Sequence, residues 1–505
     1  MAADYKTPGV YIEEVTKFPP SVAQVDTAIP AFVGHTERAD RNGTDLTMIP
    51  TRITSLLEYE QLFGVAQREE NIEIAIEEEL DLDGRVAHRN VRAKLDDRKK
   101  SKHVMYYALQ MFYMNGGGPC YIVSVGGYER IGSPIDSNKL MAGLSPLEKE
   151  DEVTLLLFPE GQNVESEASY HSLQQQSLAQ CGNLKNRFAV MDIYNTVQGF
   201  RDGIGNRNLS YGAAYYPNLQ TTLNYEFDAS KIKVSHTLSG GPVKTLPPPP
   251  PPPPAESDSG KKDKPGDKPA DKPIHPIGSS NKGEFDGKTL SDVNAKNNSI
   301  YTQAVREIRK LPLTLAPSST AVGIYAAVDA SRGVWKAPAN VTLNSTSGVS
   351  IKINDAQQES LNVDTTAGKS INAMRVFTGR GIMLWGARTL AGNDNEWRYV
   401  SVRRFFIMIE ESVKRATMQF VFEPNDSSTW IRVRAMIENY LTLQWRAGAL
   451  AGSKANDAFY VKVGLGETMT ALDILEGRLI IEIGMAVVRP AEFIILRFSH
   501  KMQES

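Results

Sequence analysis

FTGRGIMLWGARTLAGNDNEWRYVSVRRFFIMIEESVKRATMQFVFEPNDSSTWIRVRAMIENYLTLQWR, residues 377–446, is the stretch around which the chain is organised. Its centre, Thr378 to Leu390, opens with Gly379 and Gly381, continues into an apolar run, and then meets Gly386 and Arg388. Taken alone, these glycines and the arginine suit either a ligand loop or the tight turns of a packed core. After a polar turn, Gly392 to Glu396, two helical patterns follow. In the first, Val402, Phe405, Phe406, Ile409, Val413 and Ala416 recur at helical spacing and form one apolar stripe. The second begins beyond Pro424, with Asp426 or Ser428 placed to cap it. Trp430, Val433, Ile437, Tyr440 and Leu441 form its buried face, and Gly448 stands where a helix favours a C-terminal glycine. Arg432, Asn439 and Arg446 lie seven residues apart on the opposite face, a row of polar side chains left to present.

At 505 residues the chain exceeds one compact core, so two to four domains are expected. The net charge of -3 gives no strong field for nucleic acid or acidic membranes. Cys120 and Cys181 are the two cysteines, too few and too far apart for a disulfide framework or a cysteine metal site. The opening MAADYKTPGVYIEE is acidic and lacks an apolar core, so synthesis in the cytoplasm without a signal peptide is expected. Leu479 to Val488 is too short for a membrane span, and no membrane insertion is expected.

Both ends read as strands. Val10, Tyr11 and Ile12 follow a Pro-Gly turn, and Glu492 to Ser499 (EFIILRFS) closes the chain after Arg489-Pro490. A terminal strand with no local hairpin partner pairs with something distant or frays. Between the ends, Ile29 to Gly34 is a short buried strand, Thr54 to Gly64 a capped helix and Arg68 to Lys102 a charged, solvated face. Val104 to Met114 is helical and ends at Gly116-Gly117-Gly118, ahead of strand-like Tyr121 to Val125. A phosphate loop needs strand, glycines and helix in that order, so these glycines are read as a turn.

Val153 to Phe158, a helix over Ser169 to Cys181, and Phe188 to Ile193 make a β-α-β unit whose natural product is a parallel sheet. Tyr211 to Pro217 adds a strand. Pro159, Glu160, Gly161 and Asp192 fall at strand carboxyl ends, where α/β enzymes place catalytic groups. No histidine, lysine or second acid joins them at a recognisable spacing, and the seven histidines are spread thinly. No catalytic, metal or cofactor-binding residue is therefore assigned. Pro247 to Pro254 is an unbroken proline run, a stiff rod of roughly 25 Å in polyproline II. A Lys/Asp/Pro/Gly stretch follows it, and about 240–285 reads as a surface insertion. Order returns with a helix over Ser299 to Leu311 and a second one that Ser318 or Ser319 can cap. Asp457 to Gly464 and Leu479 to Val488 read as strands around a short helix at Thr470 to Glu476.

The words GRGIMLWGARTL, FEPND and Trp445-Arg446-Ala447-Gly448-Ala449-Leu450 resemble the C-terminal core of contractile tail sheath proteins. TPGVYIEE, PPSVAQVDTAIPAFVG and GHTERA resemble the opening of that family, and 311–340 is similar to it as well. The resemblance implies a modular α/β (α+β) fold. Residues 1–34 would be an N-terminal arm with the first core strands, 35–130 a charged helical part of the core, and 131–370 an inserted α/β domain. The sheath core, 371–505, would consist of helices on a small sheet completed by strands from neighbouring subunits. Strand exchange would use Val10, Tyr11 and Ile12 at one end and Glu492, Phe493, Ile494, Ile495 and Leu496 at the other. Arg432, Asn439 and Arg446 would touch an inner tube protein, with Lys414 and Arg415 as the competing pair. Gly379, Gly381, Gly386 and Arg388 would be core turn positions.

The implied function is a structural, non-enzymatic subunit that needs no cofactor. It polymerises with itself as stacked hexameric rings in a helical sheath and contracts without nucleotide hydrolysis. Baseplate proteins, terminal cap proteins and sister sheath proteins are the further implied partners; nucleic acid is not bound directly. The product would be a phage tail or a phage-tail-like particle released outside the cell. A non-contractile scaffold or baseplate component, and an α/β hydrolase-like enzyme, are the alternatives left open.

Overall fold

A computed structural model describes residues 21–240 and 282–496. Val10, Tyr11, Ile12, the proline run and the last residues of the expected C-terminal strand lie outside the described residues. The chain forms two compact units. One gathers Met1–Ala66, Lys102–Leu223 and Leu313–Ser505, and the other Gln67–Ser101 and Asn224–Pro312. These cuts differ from the expected boundaries near 34, 130 and 370, because strands distant in sequence share one sheet.

That sheet has nine strands, in the order Val341–Thr342, Gly381–Trp385, Ile371–Phe377, Gly212–Tyr216, Phe188–Asp192, Leu155–Leu157, Pro30–Thr36, Cys120–Gly127 and Thr51–Ile53. From Ile371–Phe377 to Cys120–Gly127 all neighbours are parallel; the edges turn antiparallel. Pro30–Thr36 and Phe188–Asp192 are buried along their whole length, as strands covered on both faces must be. The expected β-α-β unit is present: Leu155 pairs with Phe188, and the Glu167–Leu184 helix, capped by Ser166, makes the crossover. Pro30–Thr36 is the switch point of the sheet. The chain leaves it for Cys120–Gly127 on one side, then returns past it to Leu155–Leu157 on the other.

In the second unit the charged run forms an antiparallel hairpin, Ile72–Leu80 with Val86–Leu95, joined in parallel by Val234–Gly240. Ile72, Ile74 and Ile76 point into a core completed by Leu290, Val293, Ile300, Ala304 and Ile308, leaving Glu73 and Glu77 outside. Period-two alternation therefore places most of the charge on the solvated face. Glu78 is the exception: it is buried beside His236 and accepts from Arg89 Nε at 2.6 Å.

The stretch 377–446 is divided between two cores. Its apolar run is the Gly381–Trp385 strand, antiparallel to Ile371–Phe377 in the large sheet. Gly379 and Gly381 turn that hairpin at φ 76° and 78°, the left-handed backbone that glycine adopts without a Cβ clash. The helices Val400–Thr417 and Ser427–Arg446 pack instead on a small sheet, Phe459–Lys462 with Glu482–Met485, through Phe405, Ile409, Val433, Ile437 and Leu441. Asp426 provides the cap, accepting from Thr429 N–H at 2.9 Å, and Ala449 N–H closes the far end on the Gln444 carbonyl at 3.0 Å. The strand expected over Leu479 to Val488 is confined to Glu482–Met485, and residues 492–496 form no strand within this subunit.

Candidate functional site

Carboxyl ends of parallel strands at a switch point are the natural place to look for chemistry. Glu160, three residues beyond Leu155–Leu157, is fully buried there. The structure brings to it two histidines that sequence spacing did not connect. His35 is the penultimate residue of the neighbouring strand Pro30–Thr36, and His103 precedes the Met105–Met114 helix. His35 Nδ1 is 2.8 Å from one carboxylate oxygen and His103 Nδ1 is 3.2 Å from the other, while His35 N–H adds a contact at 3.0 Å. Burial opposes ionisation of Glu160, but these imidazole hydrogen bonds and charges hold its carboxyl below the usual range.

His35, His103 and Glu160 offer ligand atoms within 4.8 Å of one another, a set a transition metal could use. Their outer contacts do not suit one. A metal-bound imidazole donates its second N–H to an acceptor, whereas His103 Nε2 accepts the Glu129 amide at 2.9 Å and the buried His35 Nε2 has no hydrogen-bond partner among the described residues. The cavities of about 250 and 380 Å³ flanking residues 23–29 are not lined by these groups. The cluster ties the first strand to two later segments.

Asp192, the other acid at a strand end, is equally committed. Its carboxylate accepts Ser318 N–H at 2.8 Å and Ser318 Oγ–H at 2.7 Å, so it caps the Ser318–Arg332 helix from outside. Neither serine caps that helix with its own side chain, as the sequence suggested. Burial pushes Asp192 up to about 7 against the pull of these donors.

Several exposed polar and apolar side chains lie in the C-terminal part. On Ser427–Arg446, Arg432, Asn439 and Arg446 are all exposed, as their spacing required. Arg432 meets Glu423 at 3.3 Å and Thr429 Oγ1 at 3.1 Å. Ile431 and Leu443, 66% and 53% exposed, share that outer side of the helix, an apolar component the polar row had masked. Lys414 and Arg415 both pair with the buried Glu411, at 3.2 and 2.7 Å.

Both ends of the described chain are fastened beside these helices. Val25 N–H donates to Ser412 Oγ at 3.1 Å, and Gln24 accepts from Gln444 at 3.0 Å. Glu492 receives Arg388 Nε at 2.9 and 3.2 Å, Asn362 Nδ2 at 2.7 Å and Tyr399 O–H at 3.1 Å. Arg388, expected as a turn residue, is thus a buried anchor. Gly386 is the close-approach position beside it: a Cβ there would stand 2.7 Å from Asn372 Oδ1. Beyond Glu492, Phe493, Ile494, Ile495 and Leu496 are 70–80% exposed.

Residues 392–501 match the family model described as the phage tail sheath C-terminal domain. The tail sheath protein of Burkholderia phage BcepMu is 30% identical over 162 residues, which cover 31% of this chain and 32% of that protein. The alignment thus spans about a third of that relative. Among solved structures, a chain of the anti-feeding prophage helical sheath in its contracted state is 30% identical with a TM-score of 0.61, over 98% of this chain and 100% of that one. A chain of the anti-feeding prophage baseplate, 6-fold symmetrised, also matches at 30% identity and TM-score 0.61, covering 99% and 100%.

Proposed function

Since the chain belongs to the tail sheath family, we propose that it is the contractile sheath subunit of a phage tail or phage-tail-like particle. Copies stack as hexameric rings around an inner tube and shorten the sheath without nucleotide hydrolysis or any enzymatic step, driving the tube through a target envelope. The particle's baseplate and terminal cap, and sister sheath proteins, are its further partners.

The observation that carries this reading is the apolar run Phe493–Leu496, held out uncovered directly after a fixed residue. Full burial of such side chains is worth roughly 1.5–3 kcal/mol each, before the cost of association. A neighbouring copy supplies the cover by strand addition, which satisfies main-chain donors and acceptors while seating alternate side chains. The N-terminal residues Val10, Tyr11 and Ile12 act in the same way from the other end. The exposed row on Ser427–Arg446 faces the tube.

Electron microscopy of purified particles tests the proposal. Two tubular states that differ in length and diameter are expected. A single non-contracting assembly favours the second reading, a baseplate or scaffold component, which the baseplate likeness keeps in view. Deleting Met1 to Val15 is expected to abolish ordered sheaths; normal contracting sheaths from that variant would remove the strand-exchange mechanism.

A further inference from the structure

Glu492 holds more partners than its place near a chain end requires. Arg388, Asn362 and Tyr399 together direct five donor contacts of 2.5–3.2 Å at its two oxygens. Arg388 is itself 5% exposed at the side chain and also donates Nη1–H to the Asn362 carbonyl at 3.2 Å. Asn372, buried beneath it, accepts Arg388 N–H at 2.8 Å and donates to the Arg388 carbonyl at 2.8 Å. The arginine is therefore fixed at both backbone and side chain before it meets the carboxylate. These contacts hold Glu492 below the ordinary carboxylate range although burial opposes it.

The next residue begins the exposed run, with Phe493 at 70% and Ile494 at 80%. A carboxylate gripped by a bidentate arginine is followed by four apolar side chains that the described residues of the subunit leave 70–80% exposed. A planar guanidinium fork fixes direction as well as position, which a lysine or a single hydrogen bond would not.

We propose that Arg388 and Glu492 form the hinge clamp of the C-terminal arm. The pair fixes the point and direction from which Phe493–Leu496 leave for a second copy of this chain, and so sets the register in which the arm docks. The inference rests on the strand-exchange reading above. Arg388 and Glu492 are positioning residues: the arm makes the contact, and the clamp lowers the entropy lost when it docks.

The test uses the full chain with a fluorescent label on Ile495→Cys, read in dilute subunits and in assembly. Cys120 and Cys181 are buried and their thiols are pushed up to about 12, so they do not compete for the label. Glu492→Gln keeps the shape and removes the charge, Glu492→Asp restores it, and a chain ending at Glu492 removes the arm. Glu492→Gln is expected to raise label mobility and the critical concentration for assembly about tenfold or more, and Glu492→Asp to recover most of both. If Glu492→Gln leaves mobility and assembly unchanged while the truncated chain fails to assemble, the clamp is wrong and the arm reading survives. If the truncated chain assembles normally, the arm reading and the clamp fail together.

Discussion

The Arg404 guanidinium forks over the Asp329 carboxylate, Nη1 standing 3.1 Å from Oδ1 while Nη2 meets Oδ2. Their side chains are 2% and 6% exposed, so two opposite charges are buried together between the Val400–Thr417 and Ser318–Arg332 helices. Thr27 joins them, accepting from Nη2 at 2.8 Å and donating its hydroxyl to Asp329 at 2.6 Å. The entry of the chain into its first strand is thereby tied to the C-terminal helices. Arg404 further lies over the Tyr325 ring, 4.6 Å from its centroid.

Removing one partner is worse than removing both, because a buried charge is left unpaired. Asp329→Ala is expected to cost about 3–5 kcal/mol in urea unfolding, and the double replacement Asp329→Leu with Arg404→Met to recover most of that. Equal losses in the single and double variants would contradict the pairing.

Asp192 predicts a pH dependence of definite sign. Its folded value of about 7 lies above the roughly 3.9 of an unfolded aspartate, so the folded state binds more protons between them. Its contribution to stability therefore falls as pH rises from about 4 to about 7 and is flat above. The stability of the natural chain relative to Asp192→Asn should decline by about 1–3 kcal/mol across that window, read from urea midpoints. A difference independent of pH would show that Asp192 stays ionised throughout.

For the tube-facing helix, Arg446→Glu is expected to leave the melting temperature unchanged and weaken co-sedimentation with the inner tube, more so at low salt. Single surface pairs are worth about 0–1 kcal/mol, but repetition along a tube multiplies them. Lys414→Ala with Arg415→Ala should do the reverse, lowering stability by stranding the buried Glu411 while sparing attachment. The opposite pattern would move the tube contact to the Val400–Thr417 helix.

Gly386→Ala is expected to cost about 1–3 kcal/mol, because the added methyl would press on Asn372, 2.7 Å from Oδ1 and 3.0 Å from Cα. Calorimetry reads the loss directly. A neutral substitution would mean that Asn372 can move without loosening Arg388.

Local patterning decided a good deal. The 3.6-residue stripe over Val402, Phe405, Ile409 and Val413 placed one helix, and the seven-residue row of Arg432, Asn439 and Arg446 placed the outer face of another. Asp426 was legible as a cap because capping acts over three residues. In these cases cause and effect lie within a few residues of each other.

What sequence spacing left hidden lies across long separations. Arg403 and Arg404 interrupt the expected stripe yet are buried, Arg403 with its guanidinium over the Tyr211 ring at 3.9 Å and the Trp397 ring at 4.4 Å, and Arg404 on Asp329. Nothing near an arginine in sequence announces such partners, because a buried charge is compensated by whatever the fold brings to it.

The sequence by itself determined the amphipathic helices, most of the buried strands and the Asp426 cap, since apolar periodicity and backbone chemistry act over a turn or a strand. Only the tertiary structure decided that Phe377 to Arg446 serves two cores, that Glu160 gathers His35 and His103, and that Arg388 grips Glu492. Parallel pairing and buried ion pairs join residues about a hundred positions apart, and no local pattern records which distant partner arrives.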